Sequence, residues 1–135
     1  MRVTSHPVRI AFAVLALLTA QVASADHHVV KVAKKDAVGS YLTDAKGMTL
    51  YVFKKDAPGK SACAGDCVTS WPLYYREKVA ASGGVKESDF GTVTRDDGKK
   101  QSTYKGLPLY YFAGDKAPGD TSGQGVKRVW SVAAP

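Results

Sequence analysis

The sequence predicts an all-β protein: a single small domain built from two related β-repeats that pack together. Short segments rich in Val, Thr, Tyr and Phe are separated by Gly and Pro, which is typical of strands and turns. A set of residues recurs 59 positions further along the chain. No segment has a sustained helical period of apolar residues, so the repeated unit is expected to be a β-unit.

Residues 1–25 have the features of a secretory signal peptide. Arg2 and Arg9 give a positive start, Ile10–Ala20 is an apolar run, and Ala23-Ser24-Ala25 is a small-residue cleavage motif. The apolar run is much shorter than the ~20 residues that a membrane-spanning helix needs. We therefore expect export, cleavage after Ala25, and a mature domain of residues 26–135 in the periplasm or outside the cell, with no transmembrane segment.

The charge distribution excludes one class of partner. Lys and Arg number 19 against 12 Asp and Glu, which gives a net charge of +7, and the excess is spread along the chain. A nucleic-acid-binding protein usually clusters its basic residues on one surface with aromatic residues between them. No nucleic-acid partner is expected, and the mature protein is expected to be a monomer with at most weak attraction to anionic surfaces.

The repeat defines the architecture. Two copies cover about residues 41–75 and 100–132, and Pro58-Gly59 matches Pro118-Gly119 with a slip of one residue. The other matched pairs are Gly47 and Gly106, Leu50 and Leu109, Tyr51 and Tyr110, Phe53 and Phe112, Asp56 and Asp115, and Trp71 and Trp130.

Each copy contains a predicted strand, Met48–Phe53 in the first and Pro108–Phe112 in the second. Because side chains alternate along a strand, Tyr51 and Phe53 are expected to share one face, opposite Leu50 and Val52. We interpret the repeated aromatic residues as core residues. A ligand site shared by the two copies is the alternative.

The repeated Asp residues are interpreted as turn residues. Asp56 and Asp115 each follow a predicted strand and can accept hydrogen bonds from backbone N–H groups a few residues on. The remaining elements are predicted from the same kinds of signal, and Asp97-Gly98 marks a hairpin. They are strands at Val29–Ala33, Thr92–Arg95, Lys99–Tyr104 and Val126–Ala133, and a surface loop at Ala80–Gly84.

The two segments Tyr51–Asp56 and Tyr110–Asp115 fit the motif Tyr-x-(Phe/Trp/Tyr)-x-x-Asp. With "CAGDCVTSWP" after the first copy and "DDGKKQSTYKGLPLY" before the second, the chain resembles the secreted-repeat lipoproteins of unknown function. The resemblance implies an exported bacterial protein of tandem repeats, usually with a lipid anchor. No Cys follows the predicted cleavage site, so an anchor is not expected here. The family brings no established activity.

Cys63 and Cys67 are the only cysteines, and they lie four residues apart around Gly65-Asp66. In an oxidising compartment this spacing predicts a local disulfide. A redox role is the alternative, although the spacing is not Cys-x-x-Cys.

Asp26, His27 and His28 would form the mature N-terminus. The α-amine, two backbone amides and the His28 imidazole can supply a square-planar set of nitrogen ligands, which suits Cu(II) or Ni(II). The sequence assigns no other cofactor with certainty. A polar N-terminal segment without a metal is the alternative.

The sequence favours a non-enzymatic binding or envelope-associated protein whose partner is an envelope protein or a small ligand. It offers no Ser-His-Asp set and no Gly-rich phosphate loop. Trp71 and Trp130 are expected to be core residues, with an aromatic site for a quinone, haem or sugar as the alternative. Two other functions remain open: metal handling at His28, and a redox or electron-transfer role for Cys63 and Cys67 or the aromatic pairs.

Overall fold

A computed structural model of the protein describes His28–Pro135, together with the single residues Ala11 and Ala13. Most of the predicted signal peptide, and Asp26 and His27 of the predicted metal site, therefore lie outside the described residues. Within the described part of the chain, no helix is long and apolar enough to cross a membrane.

The described residues form an all-β fold, as the sequence predicts. The only α-helix among them is α1, Asp66–Ser70, and short 3₁₀ turns cover Glu87–Asp89 and Val126–Arg128. The strands are β1 Val29–Lys35, β2 Gly39–Thr43, β3 Tyr51–Phe53, β4 Ala80–Ala81, β5 Phe90–Thr94, β6 Lys100–Tyr104, β7 Leu107–Pro108 and β8 Trp130–Val132.

The strands make three small sheets with the orders β2-β1-β4, β3-β8 and β5-β6-β7. Two antiparallel hairpins, β1-β2 and β5-β6, precede the two motif segments. The predicted hairpin at Asp97-Gly98 is present, and Gly98 has the positive φ of 82° that this turn requires.

Three predicted elements differ from the structure, and the second motif segment, described below, is a fourth. Ala80–Ala81 is not a loop, because it pairs in parallel with β1. The closing strand is limited to Trp130–Val132, because the chain turns at Val126–Arg128. The first motif strand covers only Tyr51–Phe53.

The second motif segment forms no continuous strand because its backbone changes partner. The Tyr110 N–H donates to the Tyr51 carbonyl at 3.0 Å, and the Tyr51 N–H donates to the Tyr110 carbonyl at 2.8 Å. The Tyr111 N–H, by contrast, donates to the Pro72 carbonyl at 2.7 Å. Only Leu107–Pro108 of this region pairs regularly with β6. The Leu109 N–H still donates to the Ser102 carbonyl of β6 at 3.0 Å, and the pairing with β6 ends there.

The two faces of the motif segments enter two different apolar clusters, as the alternation predicts. The first cluster contains Leu50 and Leu109, with Val52 packed against it. The second contains Tyr51 and Tyr110, with Phe53 packed against it. The equivalent residues of the two repeats therefore share cores and do not build two separate ones.

The two repeats exchange their motif segments. β3 of the first repeat pairs with β8 of the second, with Tyr51 opposite Val132 and Phe53 opposite Trp130. In return, Tyr110 of the second repeat forms a bridge to Leu73 of the first. The reciprocal hydrogen bonds between Tyr51 and Tyr110 join the two exchanged segments. The domain therefore has an approximate internal two-fold symmetry.

The repeated Gly and Pro-Gly positions follow from the same exchange. Gly47 has a φ of +88°, and a Cβ there would lie 3.1 Å from the Pro118 Cβ; Gly106, with a φ of +83°, stands in the same relation to Pro58. Each Pro-Gly turn thus packs on the glycine of the other repeat. A side chain at Gly47 or Gly106 would be strained and would crowd the proline.

Candidate functional site

The motif residues of the two repeats form reciprocal pairs. The Tyr51 hydroxyl donates a hydrogen bond to the Asp115 carboxylate at 2.6 Å. The Tyr110 hydroxyl donates to the Asp56 carboxylate at 2.7 Å. Each motif tyrosine therefore bonds the aspartate of the other repeat, which gives the repeated Tyr and Asp a role that neither could perform within one repeat.

The second oxygen of each carboxylate closes a turn, the role that the sequence analysis assigned to these residues. The Asp56 carboxylate accepts the Ala62 N–H at 2.6 Å, and the Asp115 carboxylate accepts the Ser122 N–H at 3.0 Å. The two donors lie six and seven residues after their aspartates in the chain. Both oxygens of each motif carboxylate are thus engaged in holding the fold.

Burial holds the two motif tyrosines in their protonated form. It raises the pKa of Tyr110 to about 12, and burial together with the hydrogen bond to Asp115 raises the pKa of Tyr51 still further above its ordinary value. Both hydroxyls therefore remain hydrogen-bond donors over the whole physiological pH range.

The aromatic residues form a stack of four rings across the two-fold axis. Trp71 and Trp130 are parallel, with ring centroids 3.7 Å apart. Phe112 stacks on the outer side of Trp71 at 4.4 Å, and Phe53 stacks on Trp130 at 4.2 Å. The predicted aromatic pair is thus a direct contact between the repeats, and the rings alternate in their repeat of origin.

The tyrosines flank this stack edge-on. Tyr51 meets Trp71 with ring centroids 5.5 Å apart, and Tyr110 meets Trp130 at 5.1 Å. Edge-to-face and stacked contacts stabilise aromatic pairs by about 0.5–1.5 kcal/mol beyond the burial of their surface. The four-ring stack and the two motif tyrosines together form the centre of the second cluster.

Arg95 is a buried cation that the sequence analysis did not identify as a site residue. It is 5% exposed and forms an ion pair with Asp97 at 3.1 Å. Its guanidinium also donates to the Ser61 hydroxyl and to the Cys63 carbonyl. The Ser61 hydroxyl lies 2.6 Å from that of Tyr110, so Arg95 connects the β5-β6 hairpin to one Tyr–Asp pair.

Cys63 and Cys67 form a disulfide, as predicted. Cys63 is buried in the second cluster, and Cys67 packs against that cluster. Cys67 belongs to α1, which ends next to Trp71, and the Trp71 N–H donates to the Cys67 carbonyl at 2.8 Å. The disulfide therefore fixes the segment that carries one half of the tryptophan pair.

His28 is exposed and immediately precedes β1. Among the residues that the structure describes, no group of three or more His, Cys, Asp and Glu side chains is arranged to bind a metal ion. The hypothesis of a metal site at His28 depends on Asp26 and His27, which are outside this part of the chain, and it stays a prediction.

Two surface grooves flank Phe53. The smaller, of about 260 Å³, is bordered by Lys54 and Arg128. The larger, of about 420 Å³, is bordered by Lys55 and Lys127. Phe53, Val129 and Trp130 line both. Apolar rings thus form the floor of these grooves, and basic side chains border them.

The basic border includes an unusual stretch of backbone. Lys127 and Arg128 have φ values of +51° and +60°. Such left-handed conformations cost an L-residue other than Gly about 1 kcal/mol each. Because glycine also gives the unfolded chain more freedom, Lys127→Gly should raise the free energy of unfolding by only about 0.5 kcal/mol, as measured by urea denaturation. An unchanged or lowered free energy would show that the turn carries no strain.

The titration of Asp56 should affect stability in the acid range. Burial raises the pKa of this carboxyl above its ordinary value of 3.8, although hydrogen bonds from Ala62 and Tyr110 and the charge of Arg95 oppose the shift. The folded protein therefore holds this proton more tightly than the unfolded chain does. The resulting contribution to stability is fully present below the unfolded pKa and is lost as pH rises through the folded pKa.

The check is a comparison of wild type with Asp56→Asn, which cannot titrate at this position. Urea unfolding at a series of pH values should show the stability of wild type relative to the variant falling as pH rises from below 3.8. A relative stability that rises over this window would contradict the direction of the shift.

The family described as a secreted repeat of unknown function matches the chain twice, at residues 32–74 and 91–134. Both matches begin upstream of the predicted repeats, and each includes most of the hairpin that precedes its motif segment. No curated protein and no solved structure is significantly similar to the chain. The matched residues make up more than half of the sequence and contain both Tyr-x-Phe-x-x-Asp motifs, so the chain belongs to this family of secreted repeat proteins.

Proposed function

We propose that the protein is an exported, non-enzymatic binding module of the periplasm or the extracellular space, in which the repeat motif forms the frame and the ligand binds elsewhere on the surface. The observation that supports this function is the reciprocal pairing of Tyr51 with Asp115 and of Tyr110 with Asp56. Each carboxylate also accepts a backbone N–H. Groups that are engaged in this way serve as structural contacts and do not act as acids or bases on a substrate.

Native mass spectrometry of untagged protein from the exported fraction tests this function. We expect a non-covalent ligand to remain on wild type and on Tyr51→Phe, because that substitution removes a frame contact and leaves the surface unchanged. Loss of the ligand from a folded Tyr51→Phe protein would contradict the division between frame and binding surface. Conversion of a retained compound to a product would contradict a non-enzymatic role.

Copper binding at the mature N-terminus is a separate proposal that rests on the sequence Asp26-His27-His28. Cu(II) titration of the mature protein should produce a visible absorption band that His28→Ala abolishes. An unchanged band in His28→Ala would overturn this proposal without affecting the binding module.

A second candidate function is one-electron transfer through the aromatic cluster, favoured by the 3.7 Å stack of Trp71 and Trp130. A one-electron oxidant would take an electron from this pair. Tyr51 would then reduce the oxidised pair, and its hydroxyl proton would pass to Asp115, to which it is hydrogen-bonded. The products are a neutral tyrosyl radical, a protonated carboxyl group and the reduced oxidant.

Transient absorption after oxidation by a photo-oxidised ruthenium polypyridyl complex tests this candidate. Wild type should form a tyrosyl radical, whereas Asp115→Asn, which lacks the proton acceptor, should retain a tryptophan radical for longer. Asp97→Asn is the control, since Asp97 contacts neither tyrosine. Equal kinetics in wild type and Asp115→Asn would rule out proton transfer to this carboxylate.

A further inference from the structure

We infer that the two grooves flanking Phe53 bind a small planar anion, that is, an aromatic or quinonoid ring that carries a carboxylate, sulfonate or phosphate group. The inference rests on the proposed function and names the ligand class of the binding module. We call the two grooves together the Phe53 site; Phe53, Val129 and Trp130 line both of them.

The floor of the Phe53 site is aromatic and rigid. Phe53 stacks on Trp130, which stacks on Trp71, and both tryptophans are almost fully buried. Phe53 is only half-buried, so part of its ring remains accessible at the end of the stack. A planar ligand that packs against this ring would extend an existing stack at little conformational cost.

The border of the site is positive. Lys54 and Arg128 border one groove, and Lys55 and Lys127 border the other. All four are exposed, and within the described part of the chain none has a side-chain hydrogen bond or ion pair. These cations are therefore available to a ligand of opposite charge.

Two carboxylates also lie at the site, and they do not cancel its charge. Asp56 lines the smaller groove, but its oxygens already accept hydrogen bonds from Tyr110 and Ala62. Asp66 lines the larger groove and is exposed. Four cations against two carboxylates leave a positive excess, which favours an anion over a neutral or cationic ligand.

The internal symmetry supplies a comparison within the same molecule. The residues equivalent to Lys54 and Lys55 in the second repeat are Ala113 and Gly114, and Lys127 and Arg128 correspond to Val68 and Thr69 in the first repeat. The end of the stack at Phe112 therefore lacks all four cations. The aromatic frame is repeated, whereas the basic border is present at one end only.

Phe112 is half-buried like Phe53, but the space beside the ring differs between the two ends. A Cβ at Gly114 would lie 2.4 Å from the Phe112 ring, so that ring occupies the space next to the backbone of residue 114. At the equivalent position, Lys55 has a full side chain and borders a groove. The difference in shape and the difference in charge thus both favour the Phe53 end of the stack as the ligand site.

Backbone strain supports the same location. Lys127 and Arg128 have positive φ values on consecutive residues, and Lys127 borders one groove while Arg128 borders the other. Unfavourable backbone conformations of this kind concentrate at binding and catalytic sites. Here the turn distributes the two cations to the two sides of Phe53.

Chemical-shift mapping of the mature protein with 2-naphthoate tests the site. We expect dose-dependent shifts of the backbone amides of residues 53–55 and 127–131 and of the Trp130 indole. The amides around Phe112 serve as the internal reference and should not shift. The neutral 2-naphthamide, which has the same rings, should bind at least tenfold more weakly, and salt should weaken binding of the anion.

Matched double substitutions separate the site from the net charge of the protein. Lys55→Gln/Lys127→Gln should weaken naphthoate binding about tenfold, which corresponds to the loss of two exposed charge contacts. Lys34→Gln/Lys100→Gln removes the same charge from two exposed residues of β1 and β6 that line neither groove, and it should leave naphthoate binding unchanged. Thermal unfolding of both variants verifies that they are folded.

Three outcomes of the binding experiments would overturn the inference. The first is that the chemical-shift changes map outside the Phe53 site, and the second is that the two double variants weaken naphthoate binding equally. The third is that the protein binds vesicles containing phosphatidylglycerol and not naphthoate, and that the Lys55/Lys127 substitutions abolish this vesicle binding. The last would assign the border to a lipid surface.

Native mass spectrometry distinguishes failure of the site from failure of the proposed function. If it finds a ligand that these substitutions do not release, the binding module stands and the site is wrong. If it finds no ligand while naphthoate binds as expected, the Phe53 site stands and the proposed function as a binding module in the exported fraction is wrong.

Discussion

Trp130→Ala is expected to destabilise the protein by about 4 kcal/mol. Trp130 is 4% exposed and contacts rings from both repeats: Phe53 and Trp71 of the first, and Tyr110 of the second. Truncation removes all three contacts and leaves a cavity at the two-fold axis. Urea denaturation monitored by far-ultraviolet circular dichroism measures the loss.

Phe53→Ala is the control for this prediction. Phe53 belongs to the same stack, but it is half-buried and has Trp130 as its only stacked partner among the described residues. Its truncation should lower the free energy of unfolding by about 2 kcal/mol, because Phe53→Ala removes less buried apolar surface than Trp130→Ala does. A smaller loss for Trp130→Ala than for Phe53→Ala would show that the stack does not support the interface between the repeats.

Asp115→Ala is expected to lower the free energy of unfolding by about 3 kcal/mol. The substitution removes the acceptor of the Tyr51 hydroxyl and of the Ser122 N–H. Tyr51 is fully buried, so its hydroxyl would lose its carboxylate acceptor without gaining access to bulk water. Urea denaturation again provides the measurement.

Asp120→Ala is the matched control, because it removes a carboxylate from the same repeat. The Asp120 carboxylate accepts the N–H groups of Lys116 and Ala117 in an exposed turn. Water can replace those bonds, so the loss should be much smaller than for Asp115→Ala. Equal losses in the two variants would mean that the cross-repeat bond to Tyr51 adds nothing to the turn contacts.

Much of the architecture follows from patterns that are local in the sequence. Alternation along the motif predicts that Tyr51 and Leu50 enter different cores, and they do. Asp97-Gly98 predicts its hairpin because the turn is local: three residues, Asp96–Gly98, connect the strands, and Gly98 takes the positive φ. The spacing of Cys63 and Cys67 predicts the disulfide for the same reason, since the bridge closes within five residues.

The exchange between the repeats could not be predicted in this way. Tyr51 could form a hydrogen bond with either motif aspartate, and the sequence is equally compatible with bonds within one repeat. The choice depends on the tertiary pairing of β3 with β8. The interruption of the second motif strand has the same origin, because the Tyr111 N–H donates to the Pro72 carbonyl of the first repeat.

The Phe53 site has a signal in the sequence that alignment of the repeats can reveal. Matching positions identify the frame, whereas the basic residues that differ between the repeats, such as Lys55 against Gly114, mark the border of the grooves. Their convergence around Phe53 requires the fold, since Lys55 and Lys127 are distant in the chain. Arg95 is similar, because its partners Ser61 and Cys63 are more than 30 residues away.

A pair of double-mutant cycles tests the central claim most directly, namely that the repeats form one domain by exchanging their Tyr–Asp contacts. One cycle combines Tyr51→Phe with Asp115→Ala, across the repeats, and the other combines Tyr51→Phe with Asp56→Ala, within the first repeat. Urea denaturation should give a coupling energy of about 1–2 kcal/mol for the first cycle and about zero for the second. Coupling that is absent from the first cycle, or larger in the second, would contradict the exchange.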